Sequence, residues 1–235
     1  MKKILLIHGW NYRNYTSMTQ KLDAWHNRSE MVALMEKKFS VYKLNLPGFC
    51  GEKEPDRAWN LDDYANYIHK YLEKKHLDVD YILGYSFGGA VAIAYYEKYG
   101  KKEKIILVSP AIIRNNDKSK SFFRTPKFLQ PMRERLRDFY LIHIVKNHEM
   151  VYGTKFLRQT YQIIVRIDLR DKIYSIPSQD LLIIYGDQDK MVNPEGVVQF
   201  LNSEYKKRVK FIAGGGHNIG ATHPQEVVRL IQENI

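Results

Sequence analysis

The stretch Tyr81-Ile82-Leu83-Gly84-Tyr85-Ser86-Phe87-Gly88-Gly89-Ala90 constrains the fold of this chain more than any other. Tyr81 to Leu83 is an apolar run too short for a helix and suited to a buried strand. It enters a G-x-S-x-G pattern, Gly84 to Gly88, after which Ala90, Ile93, Ala94 and Tyr95 recur at helical spacing. A serine at the tip of a tight strand-to-helix turn is strained, and glycines on either side remove Cβ atoms that would meet the strand and the helix. Its hydroxyl then stands clear of the sheet, over the free N–H groups of the helix N-terminus. The same pattern also occurs in loops that merely connect, but the flanking strand and helix argue against that here.

Other apolar runs of strand length occur at Ile4–Ile7, Val41–Leu46, Ile105–Val108, Leu181–Tyr185 and Val209–Ile212. Ile4–Ile7 and Ile105–Val108, continuous and without polar residues, suit buried strands, the first covered on both faces. Between the runs lie helical patterns: Met31, Val32, Leu34 and Met35 behind a possible N-cap at Ser29; Leu61, Tyr64, Ile68, Tyr71 and Leu72 behind Asn60; Val197, Val198 and Leu201; and a closing helix with Val227, Val228, Leu230 and Ile231. Gly100 suits the end of the helix that follows Ser86. Strands alternating with helices predict an α/β protein with a mostly parallel central sheet covered by helices on both faces.

From Ala111 to about Ile176 the pattern changes. No strong strand appears, and Phe122, Phe123, Phe128, Leu129, Leu136, Phe139, Tyr140, Ile142, Ile144 and Val145 alternate with basic residues at helical spacings. This predicts a helical insertion at 111–176 in a core formed by residues 1–110 and 177–235. Residues 114–172 carry 14 Lys/Arg against 6 Asp/Glu, an excess of eight within a whole-chain net charge of +11. A positive field can recruit nucleic acid, anionic lipid or anionic substrates. Basic residues also simply solvate the outer faces of helices, and no nucleic-acid-binding motif accompanies the charge, so no nucleic-acid partner is expected.

The 235 residues suffice for one domain with a sizeable core. The single cysteine, Cys50, cannot form an internal disulfide and reads as a small loop hydrophobe. No cluster has metal-ligand spacing, so no metal is expected. Met1-Lys2-Lys3 precedes an apolar run far shorter than a signal peptide requires, and no run approaches the roughly 20 apolar residues of a membrane span. A cytoplasmic location and no stable membrane insertion are the expectations; the oligomeric state is not legible.

In an open α/β sheet, sites form at the carboxyl ends of the strands. Trp10, Ser86, Asp189 and His217 all follow predicted strands. Serine is a weak nucleophile until a base takes its proton, and the base needs a third group to hold its tautomer. Ser86, a carboxylate from the loop Gly186–Pro194 and His217 could fill those roles in the order Ser, Asp, His. His217 follows a strand and the glycine run Gly214–Gly216, whereas His223, before Pro224, reads as a surface or helix-start residue. His8 reads as a brace for its own loop.

With His8-Gly9-Trp10, Gly84-Tyr85-Ser86-Phe87-Gly88, Gly186-x-x-Asp189 and Gly216-His217 in this order, the chain resembles the α/β-hydrolase superfamily over essentially its whole length. The insertion after Ile105–Val108 corresponds to a cap, and the opening is most similar to small carboxylesterases and related C–C or thioester hydrolases. The resemblance implies that Ser86 attacks an acyl carbon, His217 serves as base and then acid, and Asp189 orients His217. It places the acid at the G-x-x-D position, leaving Asp187 as a turn residue. The backbone N–H groups of Trp10 and Phe87 would form an oxyanion hole, Gly84 and Gly88 being the turn glycines. A serine at the turn argues against the aspartate-dependent dehalogenases and epoxide hydrolases and the cysteine-dependent lactone hydrolases of the superfamily. No cofactor is implied. The expected substrate is a small to medium ester or thioester, with aromatic cap residues lining an apolar acyl pocket. C–C bond hydrolysis or non-hydrolytic ligand binding on the same fold is the alternative. After the second strand the superfamily often has Asp-x-Pro-Gly-x-Gly-x-Ser; here Asn45-Leu46-Pro47-Gly48-Phe49-Cys50-Gly51-Glu52 stands instead, which leaves the shape of the pocket rim open.

Overall fold

The computed structural model describes residues 1–19, 22–100, 102–113 and 139–235. Six strands, β1 (Lys3–Ile7), β2 (Ser40–Leu44), β3 (Tyr81–Tyr85), β4 (Lys104–Val108), β5 (Leu181–Gly186) and β6 (Val209–Ile212), form one sheet in the order β2-β1-β3-β4-β5-β6. Every pairing is parallel. The chain steps from β1 outward to β2 and then crosses back over β1 to β3. The order therefore reverses between β1 and β3, and a crevice opens above their carboxyl ends, where ligands of such sheets bind.

The apolar runs of β1, β3, β4 and β5 fold as strands because both faces of each are covered, whereas the edge strands β2 and β6 are partly exposed. Leu5, Ile7, Ile82, Ile105, Leu107 and Ile183 face one fully buried cluster. Ile4, Leu6, Leu83, Ile106, Val108 and Ile184 face the other. The alternation is the two-residue period of a pleated strand with helices on both sides. The first cluster is closed by α3 (Leu61–Lys74) and α4 (Phe87–Tyr99). The second is closed by α2 (Ser29–Glu36) and α10 (Pro224–Asn234), which pack against each other. A short helix, α1 (Thr16–Thr19), precedes α2.

Local signals account for most boundaries. Asn60 caps α3 through a reciprocal pair with Asp63: its side chain accepts from the Asp63 N–H and its own N–H donates to the Asp63 carboxylate. Gly100 ends α4. Asn193 accepts the Gly196 N–H at 2.9 Å and so starts α7 (Pro194–Phe200), a capping role not foreseen for that residue.

Two expectations need correction. Ser29 is not a cap: a 3-10 turn, His26–Arg28, runs directly into α2, and Ser29 already has helical backbone angles, so no side-chain cap is made. The second strand stops at Leu44 rather than Leu46, because the Leu46 N–H donates to His8 Nε2 at 3.0 Å instead of continuing a ladder. The segment between β1 and α2 buries Tyr15, Ala24 and Trp25.

Between β4 and β5 no strand occurs among the described residues, in keeping with a helical insertion. Phe122, Phe123, Phe128, Leu129 and Leu136 lie outside the described residues. The described part holds α5 (His148–Tyr152) and α6 (Lys155–Ile164). Helix α6 buries Phe156, Leu157 and Ile164 in the first core cluster, and its Thr160 hydroxyl accepts the Trp59 N–H at 3.0 Å. The remaining helices are α8 (Ser203–Lys206) and α9 (Ile219–Thr222), both short.

Candidate active site

The β3–α4 turn sets the position of Ser86. Its backbone lies at φ 51°, ψ −112°, in left-handed territory that a side-chain-bearing residue occupies only under constraint. The constraint is visible on both sides. The Ser86 N–H donates to Val108 O at 2.9 Å, and Ser86 O accepts from Gly89 N and Ala111 N, each at 3.0 Å. Strand β3 and helix α4 touch at their glycines: a Cβ on Gly84 would lie 2.4 Å from Gly88 O, and one on Gly88 would lie 2.1 Å from Ile7 O. The pattern that predicts a tight turn thus owes its glycines to backbone-to-backbone contact.

The loops after β5 and β6 bring the other two side chains to this turn. His217 Nε2 lies 2.9 Å from Ser86 Oγ. His217 Nδ1 lies 2.8 Å from Asp189 Oδ2. The Asp189 side chain is fully buried, and its other oxygen accepts the N–H groups of Met191 at 2.9 Å and Val192 at 3.3 Å. A buried carboxylate with each oxygen occupied keeps one orientation, and so does the imidazole it holds. Asp187 is exposed in the adjoining turn, and His223 lies at the start of α10. Of the candidates read from the sequence, Ser86, Asp189 and His217 meet in one line.

The loop after β1 runs beside Ser86. A Cβ on Gly9 would come within 3.2 Å of the Ser86 Cβ, which puts Trp10 next to the turn. The Trp10 ring packs edge-on to Phe87, with centroids 5.2 Å apart, and to Phe49 at 5.1 Å. Trp10 and Phe87, whose backbone N–H groups the sequence reading singles out, are therefore neighbours across the β1–β3 crevice.

His8 is wholly buried and braces this loop: Nδ1 donates to Gly9 O at 2.9 Å while Nε2 accepts from Leu46. Burial lowers its pKa to about 4, the Arg28 charge acts in the same direction, and the Gly9 carbonyl opposes them. The unfolded chain, with His8 near its ordinary value, takes up a proton below about pH 6.5 that the folded chain refuses until about pH 4. Stability from this group is therefore complete above about pH 6.5, falls as pH drops toward about 4, and loses on the order of 3 kcal/mol over that window. Urea midpoints at pH 7 and pH 4.5 should show a smaller drop for His8→Gln than for the wild type. Equal drops would remove His8 from the pH dependence.

Two contributors were not foreseen from the sequence. The Tyr85 hydroxyl donates to His217 O at 2.9 Å and accepts the Gly220 N–H at 3.2 Å, tying the β3 turn to the histidine loop. Tyr85 occupies a variable position of the G-x-S-x-G pattern, and nothing in the local sequence signals its partner. Glu149, in α5, reaches the Trp10 indole; as one acid in a basic segment it carried no spacing signal.

The cap aromatics expected to line an acyl pocket include Phe122, Phe123 and Phe128, outside the described residues; behind Phe87 lies a small apolar space. That space is lined by Leu61, Phe87, Ala90, Ala111, Ile164, Ile167 and Leu169, and holds only about 10 Å³. This is room for about one water molecule. A wider groove of about 680 Å³, with His69, Glu73, His76 and Tyr99 in its walls, lies at the opposite end of the sheet, where the chain enters β3 and β4. The triad does not reach it. Among the described residues no cluster of three or more His, Cys, Asp or Glu side chains is arranged to hold a metal ion. No described helix is long and apolar enough to cross a membrane.

A parallel sheet with a strained serine at its central turn, backed by a histidine on a buried aspartate, defines a class, and comparison with known proteins agrees with it. The chain belongs to the alpha/beta hydrolase family, which it matches over residues 4–230. It is 27% identical over 220 residues to Lipase 3 of Moraxella sp. (strain TA144), covering 82% of this chain and 64% of that protein. It is 24% identical over 224 residues to Lipase 1 of Psychrobacter immobilis, covering 83% and 64%. This chain thus spans slightly under two thirds of the length of either lipase. Among solved structures it is similar to an esterase from Exiguobacterium antarcticum, with a TM-score of 0.66, 16% identity, and 99% and 91% of the two chains covered.

Proposed function

We propose that this protein is a serine hydrolase that cleaves carboxylic esters, or thioesters, of small to medium acyl groups through a covalent acyl-enzyme. The observation that carries the reading is the unbroken hydrogen-bond line from Ser86 Oγ through His217 to the buried Asp189. Ser86 Oγ attacks the acyl carbon as its proton passes to His217 Nε2. Charge develops on the carbonyl oxygen, where the backbone N–H groups of Trp10 and Phe87 receive it, each such donor worth on the order of 10²–10³ in rate. Collapse breaks the bond to the alcohol or thiol, which leaves with the proton from Nε2. Water, deprotonated by the same nitrogen, then releases the acid and restores Ser86. Asp189 holds Nδ1–H throughout, so that Nε2 is the nitrogen free to accept. The segment 111–176 acts as a cap over this site and sets acyl size. Its support is the contact of α5 with the loop after β1 and the packing of Phe156 and Leu157 on Gly48.

A fluorophosphonate probe tests the nucleophile. Intact mass and peptide mapping should find one adduct, on Ser86, in the wild type and none in Ser86→Ala. Labelling should be much slower in Asp189→Asn and His217→Ala. A panel of p-nitrophenyl esters and acyl thioesters of increasing length then ranks the acyl group. Folded wild type that takes up no probe and turns over no substrate in the panel would overturn the reading in favour of ligand binding on this fold.

A further inference from the structure

Glu149 belongs to helix α5, yet its carboxylate is engaged by the loop after β1. Glu149 Oε2 accepts the indole N–H of Trp10 at 2.9 Å and the hydroxyl of Tyr15. The same indole N–H lies 2.8 Å from the Tyr15 oxygen, so three side chains meet at one carboxylate oxygen. Tyr15 is fully buried, and burial together with the neighbouring Glu149 pushes its hydroxyl well above the ordinary range, which keeps it a donor. Hydrogen bonds to an ionised carboxylate are about twice as strong as neutral ones.

The rest of α5 grips the same loop. Tyr152 stacks on Tyr12, with centroids 5.2 Å apart and planes 15° from parallel, and His148 meets Tyr12 edge-on at 4.9 Å. Tyr161 of α6 closes on the Trp10 ring at 5.5 Å. The Glu149 carboxylate stands at the centre of these contacts. Its partner is the indole of Trp10, the residue proposed above to offer its backbone N–H to the acyl oxygen.

We infer that Glu149 is a positioning residue for the oxyanion hole: through Trp10 and Tyr15 it holds the loop after β1 so that the Trp10 backbone N–H meets the acyl oxygen in the transition state. The inference rests on the hydrolase reading above. A donor that acts on developing charge contributes little to ground-state binding. Loosening it therefore lowers kcat and leaves KM nearly unchanged. Misplacement costs less than removal, so a loss of about tenfold is expected against the roughly 10²–10³ of a deleted donor.

The test uses the full chain and a p-nitrophenyl ester that the wild type hydrolyses. Glu149→Ala should lower kcat about tenfold with KM within about twofold. Glu149→Gln, which keeps an acceptor oxygen and loses the charge, should fall between it and the wild type. Trp10→Phe should match Glu149→Ala, and the double variant should be no slower than either single one. The chain has three tryptophans, so ¹⁵N-indole spectra assign Trp10 by its loss in Trp10→Phe, and that resonance should move in Glu149→Ala. Where Glu149→Ala does not fold, Glu149→Gln and Trp10→Phe carry the same comparison. Unchanged kcat with a shifted resonance would make the contact purely structural, and multiplicative losses in the double variant would separate the two residues. Either outcome overturns the inference while the wild type remains an active hydrolase. A wild type inert to both ester and probe removes the hydrolase reading and this role with it.

Discussion

Alanine at His217 is expected to lower kcat for a p-nitrophenyl ester by on the order of 10⁶, alanine at Ser86 to lower it equally, and the double variant to fall no further. The hydroxyl and the imidazole stand 2.9 Å apart and, in the proposed mechanism, act as one unit. Without the base the hydroxyl keeps its proton; without the hydroxyl the base has nothing to activate. What survives in every such variant comes from the oxyanion donors and binding, roughly 10³–10⁴ over water. Asp189→Asn should cost less, about 10⁴, because it leaves the imidazole in place but no longer enforces the proton on Nδ1. Circular dichroism and urea midpoints separate chemistry from folding. Single-variant losses that multiply in the double variant would mean that Ser86 and His217 act independently, and the acyl-enzyme mechanism would have to be abandoned.

The second large effect concerns the turn beneath that serine. Gly88→Ala is expected to yield no stably folded protein, because its Cβ would lie 2.1 Å from Ile7 O and 2.6 Å from His8 O. Both obstacles are backbone atoms, one at the end of the second strand from the sheet edge and the other at the start of the crevice loop. Neither can rotate aside as a side-chain tip could. The chain must either part α4 from β1 or lift the loop after β1, and each route exposes part of a fully buried core. A loss of more than about 4–5 kcal/mol is expected, a large share of the roughly 5–15 kcal/mol typical of a domain. Gly216→Ala is the control: no atom lies within 4 Å of its would-be Cβ, so stability should change by less than about 1 kcal/mol. Equal urea midpoints for Gly88→Ala and wild type would contradict the packing described here.

Much of the architecture is legible because its signals are local. The apolar strand runs, the Asn60 cap and the strand–turn–helix around Ser86 each declare themselves within a few residues. So does the candidate site, since Ser86, Asp189 and His217 all sit just past strands of a parallel sheet, where topology brings loop ends together. The early end of the second strand and the two contributors missed have a common cause in contacts that link distant segments. Leu46 leaves the ladder for an imidazole 38 residues earlier in the chain. Tyr85 is tied to a carbonyl 132 residues away, and Glu149 to an indole 139 residues away. No spacing rule reaches that far.

The separation of Ser86 from His217 also orders events in time. The two lie 131 residues apart in sequence, with β4, the insertion, β5 and β6 between them. A ribosome adding about 5–20 residues per second needs roughly 7–26 s to pass from one to the other. Over that interval the nascent chain holds Ser86 without His217, and strands β5 and β6 are still being made. On the proposed mechanism the serine therefore has no base until the loop after β6 exists and has docked.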